Sequence, residues 1–137
     1  LERVASSEIQ ALYQNLDATW DERAERLTAA LAQANLPPRV ANLSSIWTVI
    51  YAQPSRYNWM FQFYLRAEGL ALSWVGTGRF IFSLNYTAQD FEEVMRRFLR
   101  AARAMAEDGW WWQGPGLTNR SIRRGLLREM LRHRFGW

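Results

Sequence analysis

The sequence predicts an α+β fold, a small and mainly antiparallel sheet covered by amphipathic helices, with a further helix appended after it. Three observations predict it. Apolar residues recur at helical spacing in three stretches before position 109. Two short apolar runs, residues 70–75 and 79–86, flank Gly76-Thr77-Gly78 in the manner of a β-hairpin. Beyond Gly109 a loop rich in Trp, Gly and Pro separates a last helical stretch from the rest.

The first helix starts at Ser6 or Ser7, where Ser7 and Gln10 form a capping-box pattern. Ile9, Leu12, Tyr13, Leu16 and Trp20, then Ala24, Leu27, Leu31 and Ala34, keep the helical period, and Glu22 with Arg26 adds a solvated charge pair. The pattern leaves open whether residues 15–19 interrupt it. Asn35-Leu36-Pro37-Pro38 stops the helix, because proline lacks the donor and restricts the residue before it. Residues 40–51, rich in β-branched and aromatic side chains, read as one strand. Pro54-Ser55 opens a second helix with Tyr57, Met60, Phe61, Tyr64 and Leu65 as its stripe and Gly69 as its C-terminal cap. After the hairpin, Thr87 with Asp90 caps a third helix whose stripe is Phe91, Val94, Met95, Phe98, Leu99 and Ala102, ending at Asp108-Gly109. Residues 110–116 (WWWQGPG) fit neither a regular helix nor a sheet interior. The last helix is expected from Thr118 to about His133, with Ile122, Leu126 and Met130 on one side.

Composition narrows the chemistry. The length of 137 residues suits one domain, and 49% apolar residues can build a sizeable core. There is no lysine: all 17 basic residues are arginine. Arginine is effectively never deprotonated, so no side-chain amine is available as a nucleophile or Schiff-base partner. With no cysteine, thiolate nucleophiles, disulfides and thiolate metal sites are excluded. The one histidine, His133, stands between Arg132 and Arg134, a poor setting for a base. No run is apolar enough to cross a bilayer and no leader pattern opens the chain, so a cytoplasmic setting is expected. Charge is uneven: through Asp108 there are 11 arginines against 12 acids, and from Gly109 onward six arginines against Glu129 alone.

Alternation places Phe80, Phe82, Leu84 and Tyr86 on one side of their strand and Arg79, Ile81, Ser83 and Asn85 on the other. Leu70, Leu72 and Trp74 likewise oppose Ala71, Ser73 and Val75. One sheet face is therefore large and apolar and needs the helices. The other, small and partly polar, is either a solvated face or a platform that another domain approaches.

Several short signatures then fall in a telling order: the long helix before a proline break, Asn42-Leu43-Ser44-Ser45-Ile46-Trp47 in a strand, Tyr64-Leu65-Arg66-Ala67-Glu68-Gly69-Leu70 at a helix end, Gly78-Arg79-Phe80 in a strand, and Thr87-Ala88-Gln89-Asp90 at a helix start. Over residues 1–108 this order resembles the C-terminal small domain of class III aminotransferases, particularly the glutamate-1-semialdehyde aminomutase-like members. The resemblance implies an enzyme of fold type I that uses pyridoxal phosphate. In that family a large catalytic domain holds the Schiff-base lysine and the cofactor, and the small domain closes over the site. The lysine-free chain is accordingly expected to be the C-terminal part of such an enzyme, inactive by itself and binding no cofactor or metal alone. Its partner is the large domain of the same enzyme, its substrate a small amino acid or amino ketone, and the intact enzyme a homodimer.

The resemblance also singles out Arg79, since many members place an arginine at the start of this strand to hold the substrate carboxylate. A planar guanidinium matches a carboxylate with two parallel hydrogen bonds, which lysine cannot do. Aminomutase-like members often lack this arginine, so Arg79 leans toward a transaminase acting on an amino acid. Ser83 and Asn85, on the same strand face, are expected to line the domain interface. Arg66 reads as a partner of its helix dipole.

Residues 109–137 lie beyond the resemblance. Arg120, Arg123, Arg124, Arg128, Arg132 and Arg134 beside three tryptophans suit nucleic acid or, as a basic amphipathic helix, a membrane surface. The reading preferred over both is that the apolar side of the helix and the tryptophans pack on the rest of the enzyme, with arginines solvated or paired. A small regulatory or nucleic-acid-binding α+β module using this tail is the alternative to the enzyme domain.

Overall fold

The structure, a computed structural model, describes residues 7–73 and 78–136. Its elements are α1 (Ser7–Gln14), α2 (Leu16–Gln33), β1 (Pro38–Leu43), β2 (Ile46–Tyr51), a 3-10 turn (Asn58–Met60) leading into α3 (Phe61–Ala67), β3 (Arg79–Ile81), α4 (Ala88–Glu107) and α5 (Asn119–Phe135). The fold is α+β, with one antiparallel sheet in the order β1-β2-β3. A start of the first helix at Ser6, and most of the turn expected at Gly76-Thr77-Gly78, lie outside the described residues.

Three helices stop by the same device. Asn35, Gly69 and Gly109 each adopt a left-handed backbone, at φ 55°, 78° and 76°. The amide of the following residue then donates back to the carbonyl five positions earlier: Leu36 to Leu31, Leu70 to Leu65 and Trp110 to Met105. This is the Schellman arrangement, which satisfies orphan carbonyls and turns an apolar residue back onto the helix. Leu36 and Leu70 are buried by it, whereas Trp110 is exposed. The start of α4 is equally well specified: Thr87 Oγ1 accepts from the Asp90 amide at 3.1 Å, and Asp90 Oδ2 accepts from the Thr87 amide at 2.8 Å. The open question near residue 15 resolves as a break at Asn15, between α1 and α2.

Three strand expectations are corrected. Residues 40–51 form a hairpin, with Leu43 paired to Ile46 across the two-residue turn Ser44-Ser45. Ser44 adopts φ 51°, and the Asn42 side chain donates to its carbonyl at 3.3 Å, which stabilises a reversal that composition does not advertise. The second correction concerns the run from residue 70. Leu70, Ala71, Leu72 and Ser73 are not in a strand, although Ser73 donates to the Arg79 carbonyl at 2.9 Å and its hydroxyl accepts from the Arg79 amide at 3.0 Å. Gly78 explains the close crossing: it has φ 77°, and a Cβ there would lie 2.8 Å from Leu72 Cδ2. Strand β3 also ends early, at Ile81, because Ser83 closes a local turn: its carbonyl accepts from Tyr86 and its hydroxyl from Asn85.

The alternation itself holds as far as Ser83; past the end of β3 Leu84 is only half-buried and Tyr86, expected on the core side, is exposed, while Trp74 and Val75 lie outside the described residues. Leu70, Leu72, Phe80 and Phe82 are buried, while Ala71, Arg79, Ile81 and Ser83 are exposed. Trp47, Val49 and Phe80 project from the inner sheet face onto Trp20, Ala24, Leu27 and Leu31 of α2 and onto Phe91, Val94 and Phe98 of α4. Phe61 and Leu65 bring α3 onto the same core. Trp47 is its centre, with ring centroids of Phe82, Phe91 and Trp20 at 5.1, 5.7 and 5.9 Å. Trp111 caps the far end, donating from Nε1 to the Ala102 carbonyl at 2.9 Å and packing on Phe61.

Candidate functional site

The register fixes which side chains share the outer sheet face. Thr48 pairs with Ala41 on one side and with Arg79 on the other; Ile46 pairs likewise with Leu43 and Ile81. Paired residues of antiparallel strands project to the same side. Arg79 thus stands on the face opposite the core, next to Thr48 and in line with an aliphatic row. That row is well exposed, with Leu43 at 79% and Ile81 at 70%. The outer face is therefore more apolar than the small, partly polar surface the alternation suggests.

Arg79 differs from most arginines of the body. Arg97 donates to Glu93 and to the Glu68 carbonyl, Arg100 to Glu68, Arg96 to Glu93, and Arg26 to Glu92. Arg23 donates to the Tyr86 carbonyl and lies over the Trp20 and Phe91 rings. Among the described residues, the Arg79 guanidinium forms no hydrogen bond or ion pair; only its backbone is engaged, with Ser73. Arg39 is the residue the sequence reading missed. It pairs with Ile50 and, by alternation, presents a second exposed guanidinium on the same outer face. Seeing the hairpin inside residues 40–51 would have found it. An open groove of about 650 Å³, lined by Thr48, Ile50, Gln53, Asn58, Thr118 and Asn119 among others, lies beside this face. Asn58 Oδ1 is buried there without a partner among the described residues, while its Nδ2 donates to the Gln53 carbonyl.

Ser83 and Asn85 are not brought to Arg79. They fall past the end of β3, in the turn, and line a depression of about 440 Å³ with Gly69, Tyr86, Asp90 and Arg97. Asp90 in that depression is a capping group; the Thr87 amide, then its hydroxyl, hold the carboxyl below its ordinary range. Arg66, expected to complement the helix dipole, does sit in the last turn of α3.

The tail separates into a packed part and an open one. Trp111 packs against the core and Trp110 on Tyr57 at 5.2 Å, so the three tryptophans are not presented together as one row of rings, although Trp110 and Trp112 are exposed. Helix α5 contains no buried residue. Its one acid, Glu129, accepts two hydrogen bonds from the Arg56 guanidinium, at 3.1 and 2.8 Å. That pairing holds the Glu129 carboxyl below its ordinary range, through the hydrogen bond first and charge second.

As for the groups the resemblance implies, no side chain here can hold an aldehyde cofactor as an imine, since the sequence has no lysine. No step through such a group is assigned to its residues. Among the described residues, no three His, Cys, Asp or Glu side chains converge as a metal site, and no helix is long and apolar enough to cross a membrane. No protein-family model matches the sequence, and no curated protein matches it.

Proposed function

We propose that this chain is the closing domain of a pyridoxal-phosphate-dependent class III aminotransferase or aminomutase, in which Arg79 grips the substrate carboxylate. The supporting observation is a guanidinium without a described partner, on a sheet face that none of the described helices covers. A free arginine in water is unremarkable by itself. Here it stands among Leu43, Ile46 and Ile81, whose exposure suits a surface that becomes desolvated when a second domain closes on it. Desolvation strengthens a charge-assisted pair, and the planar guanidinium fixes the carboxylate by two parallel bonds. The cofactor, and the lysine that binds it, belong to the partner catalytic domain. This chain contributes orientation of a small amino acid or amino ketone and exclusion of water, within an enzyme that dimerises through its large domain.

The test is Arg79→Lys in the intact enzyme. Lysine keeps the charge and removes the bidentate geometry, so KM for a carboxylate-bearing substrate should rise about tenfold to a hundredfold. The cofactor absorbance should stay as it was. Unchanged kinetics would remove Arg79 from the site. Calorimetry of this chain alone with free amino acids addresses the regulatory-module alternative, because only that alternative expects saturable heat.

A further inference from the structure

The apolar residues of α5 do not share one side. The face toward the body is set by Glu129, held by Arg56, and by Ile122, Gly125 and Leu126, which border a cavity of about 200 Å³ with Trp112 and Leu117. At about 100° per residue, Leu127, Leu131 and Phe135 form a separate stripe on the opposite side. They are 59%, 53% and 62% exposed. Of the side expected to pack on the body, Ile122 and Leu126 border that cavity while Met130 is 68% exposed, and the stripe of Leu127, Leu131 and Phe135 takes no part in it. By the same geometry Arg123 and Arg134 run along one flank, Arg128 and Arg132 along the other, and Arg120 and Arg124 continue the stripe toward the N-terminal end. None of the six forms an ion pair or side-chain hydrogen bond with a described residue.

We propose that this outward face of α5 lies on an anionic lipid bilayer, with Leu127, Leu131 and Phe135 at the boundary between headgroups and acyl chains. The arginines bind lipid phosphates and carboxylates from either flank. Charge complementarity chooses this occupant. A second copy of α5 would bring six more guanidiniums and a single carboxylate that Arg56 already holds, so the pair would repel. Nucleic acid would meet the arginines but leave the Leu and Phe side chains in water, without an apolar partner. A protein groove would need a carboxylate set for each of six irregularly spaced guanidiniums, or would desolvate the rest without compensation. Mobile headgroups move to wherever the guanidiniums stand, and long arginine stems let the charges stay at headgroup level while the apolar tips descend. A helix of 17 residues is about 25 Å long, enough to lie along the surface. The inference is independent of the role proposed for Arg79 and would stand if that role fell.

The test uses the whole chain and large unilamellar vesicles of phosphatidylcholine, with or without an equimolar share of phosphatidylserine. The chain should sediment with the mixed vesicles and not with phosphatidylcholine alone. Replacing Leu127, Leu131 and Phe135 together by Ser leaves the charge unchanged, and the loss of three buried apolar side chains should weaken binding by more than about tenfold. Replacing Arg123, Arg128 and Arg134 by Gln should abolish the preference for phosphatidylserine. Since the chain has no cysteine, Leu131→Cys carries a single environment-sensitive fluorophore, whose emission should shift to the blue on the mixed vesicles. Absence of binding to them would overturn the proposal. Equal binding by the Ser variant with no blue shift would overturn it in favour of charge attraction alone. DNA binding that outcompetes the vesicles and survives the Ser substitutions would assign the face to nucleic acid. A dimer that those substitutions dissolve would assign it to a second copy.

Discussion

Trp47 poses a contest between two terms of similar size, and Trp47→Phe measures which wins. The ring is enclosed by Trp20, Phe82 and Phe91, and its Nε1 is buried with no hydrogen-bond partner among the described residues. The substitution removes two carbons and the nitrogen. At about 0.8 kcal/mol per buried carbon, the lost transfer energy is about 1.6 kcal/mol, plus a cavity contribution set by how far the neighbours relax. Against this, an unpaired buried donor costs about 1–3 kcal/mol, and phenylalanine has none. The two nearly cancel, so Trp47→Phe should change stability by no more than about 1 kcal/mol. Phe98→Leu is the control. Phe98 is equally buried, against Phe61 and Phe80, and the change deletes three carbons with no polar group to relieve. Its cost should be about 2.4 kcal/mol before any cavity contribution. Urea unfolding followed by far-ultraviolet circular dichroism reads both as shifts in midpoint at constant slope. If Trp47→Phe costs as much as Phe98→Leu, the reasoning fails. In that case the indole N–H is satisfied by a ring face in the near-perpendicular contacts it makes.

Two further outcomes follow from the caps and the tyrosines. Thr87→Ala removes the acceptor of the Asp90 amide and should destabilise the domain by about 1 kcal/mol, seen as a lowered Tm with unchanged helix content below it. Burial, and for Tyr64 a hydrogen bond to Asp108, push the hydroxyls of Tyr51 and Tyr64 up from 10 to about 12. Since the native state keeps those protons while the unfolded chain releases them near pH 10, this contribution to stability is complete below pH 10 and lost as pH rises toward 12. A spectrophotometric titration of the native protein should show both ionising late, and Tyr51→Phe should remove one late step; titration of every tyrosine near pH 10 in the native protein would refute it.

What the sequence discloses here is mostly where helices end. Asn35-Leu36, Gly69-Leu70 and Gly109-Trp110 are each a residue able to go left-handed followed by an apolar one, and each ends a helix as that pair demands. Periodicity also picks Phe91, Val94, Phe98 and Ala102 of the buried stripe of α4, while Met95 and Leu99 are half-buried and the buried Ala101 and Met105 fall outside the predicted stripe. The hairpin in residues 40–51 is hidden because its turn is Ser-Ser, which lacks the glycine or asparagine that announces a left-handed position. Missing that turn also hid Arg39 from the outer face. Ser83 and Asn85 reach the outer face only if a strict alternation continues past Ile81, yet a short hydroxyl side chain readily bonds nearby backbone, as Ser83 does with the Asn85 amide. The division of α5 into two apolar stripes is a matter of which residues touch the body, and the Arg56–Glu129 contact, with the cavity that Ile122 and Leu126 border beside Trp112 and Leu117, decides that.

Unpaired arginines alone say little, because an exposed guanidinium is well solvated and surface ion pairs add little stability. What raises two surfaces above the others is the company those arginines keep. Arg79 stands beside Leu43, Ile46 and Ile81, and the arginines of α5 flank Leu127, Leu131 and Phe135. In water such apolar side chains contribute nothing favourable; they gain only when something covers them, and the neighbouring charge then restricts what that something is. The two surfaces share no residue, so their perturbations should not cross. Arg79→Lys should leave vesicle binding as it is, and the Ser substitutions on α5 should leave KM as it is. A change in both from either variant would mean that one occupant covers both surfaces, and the separate assignments would have to be replaced by a single interface.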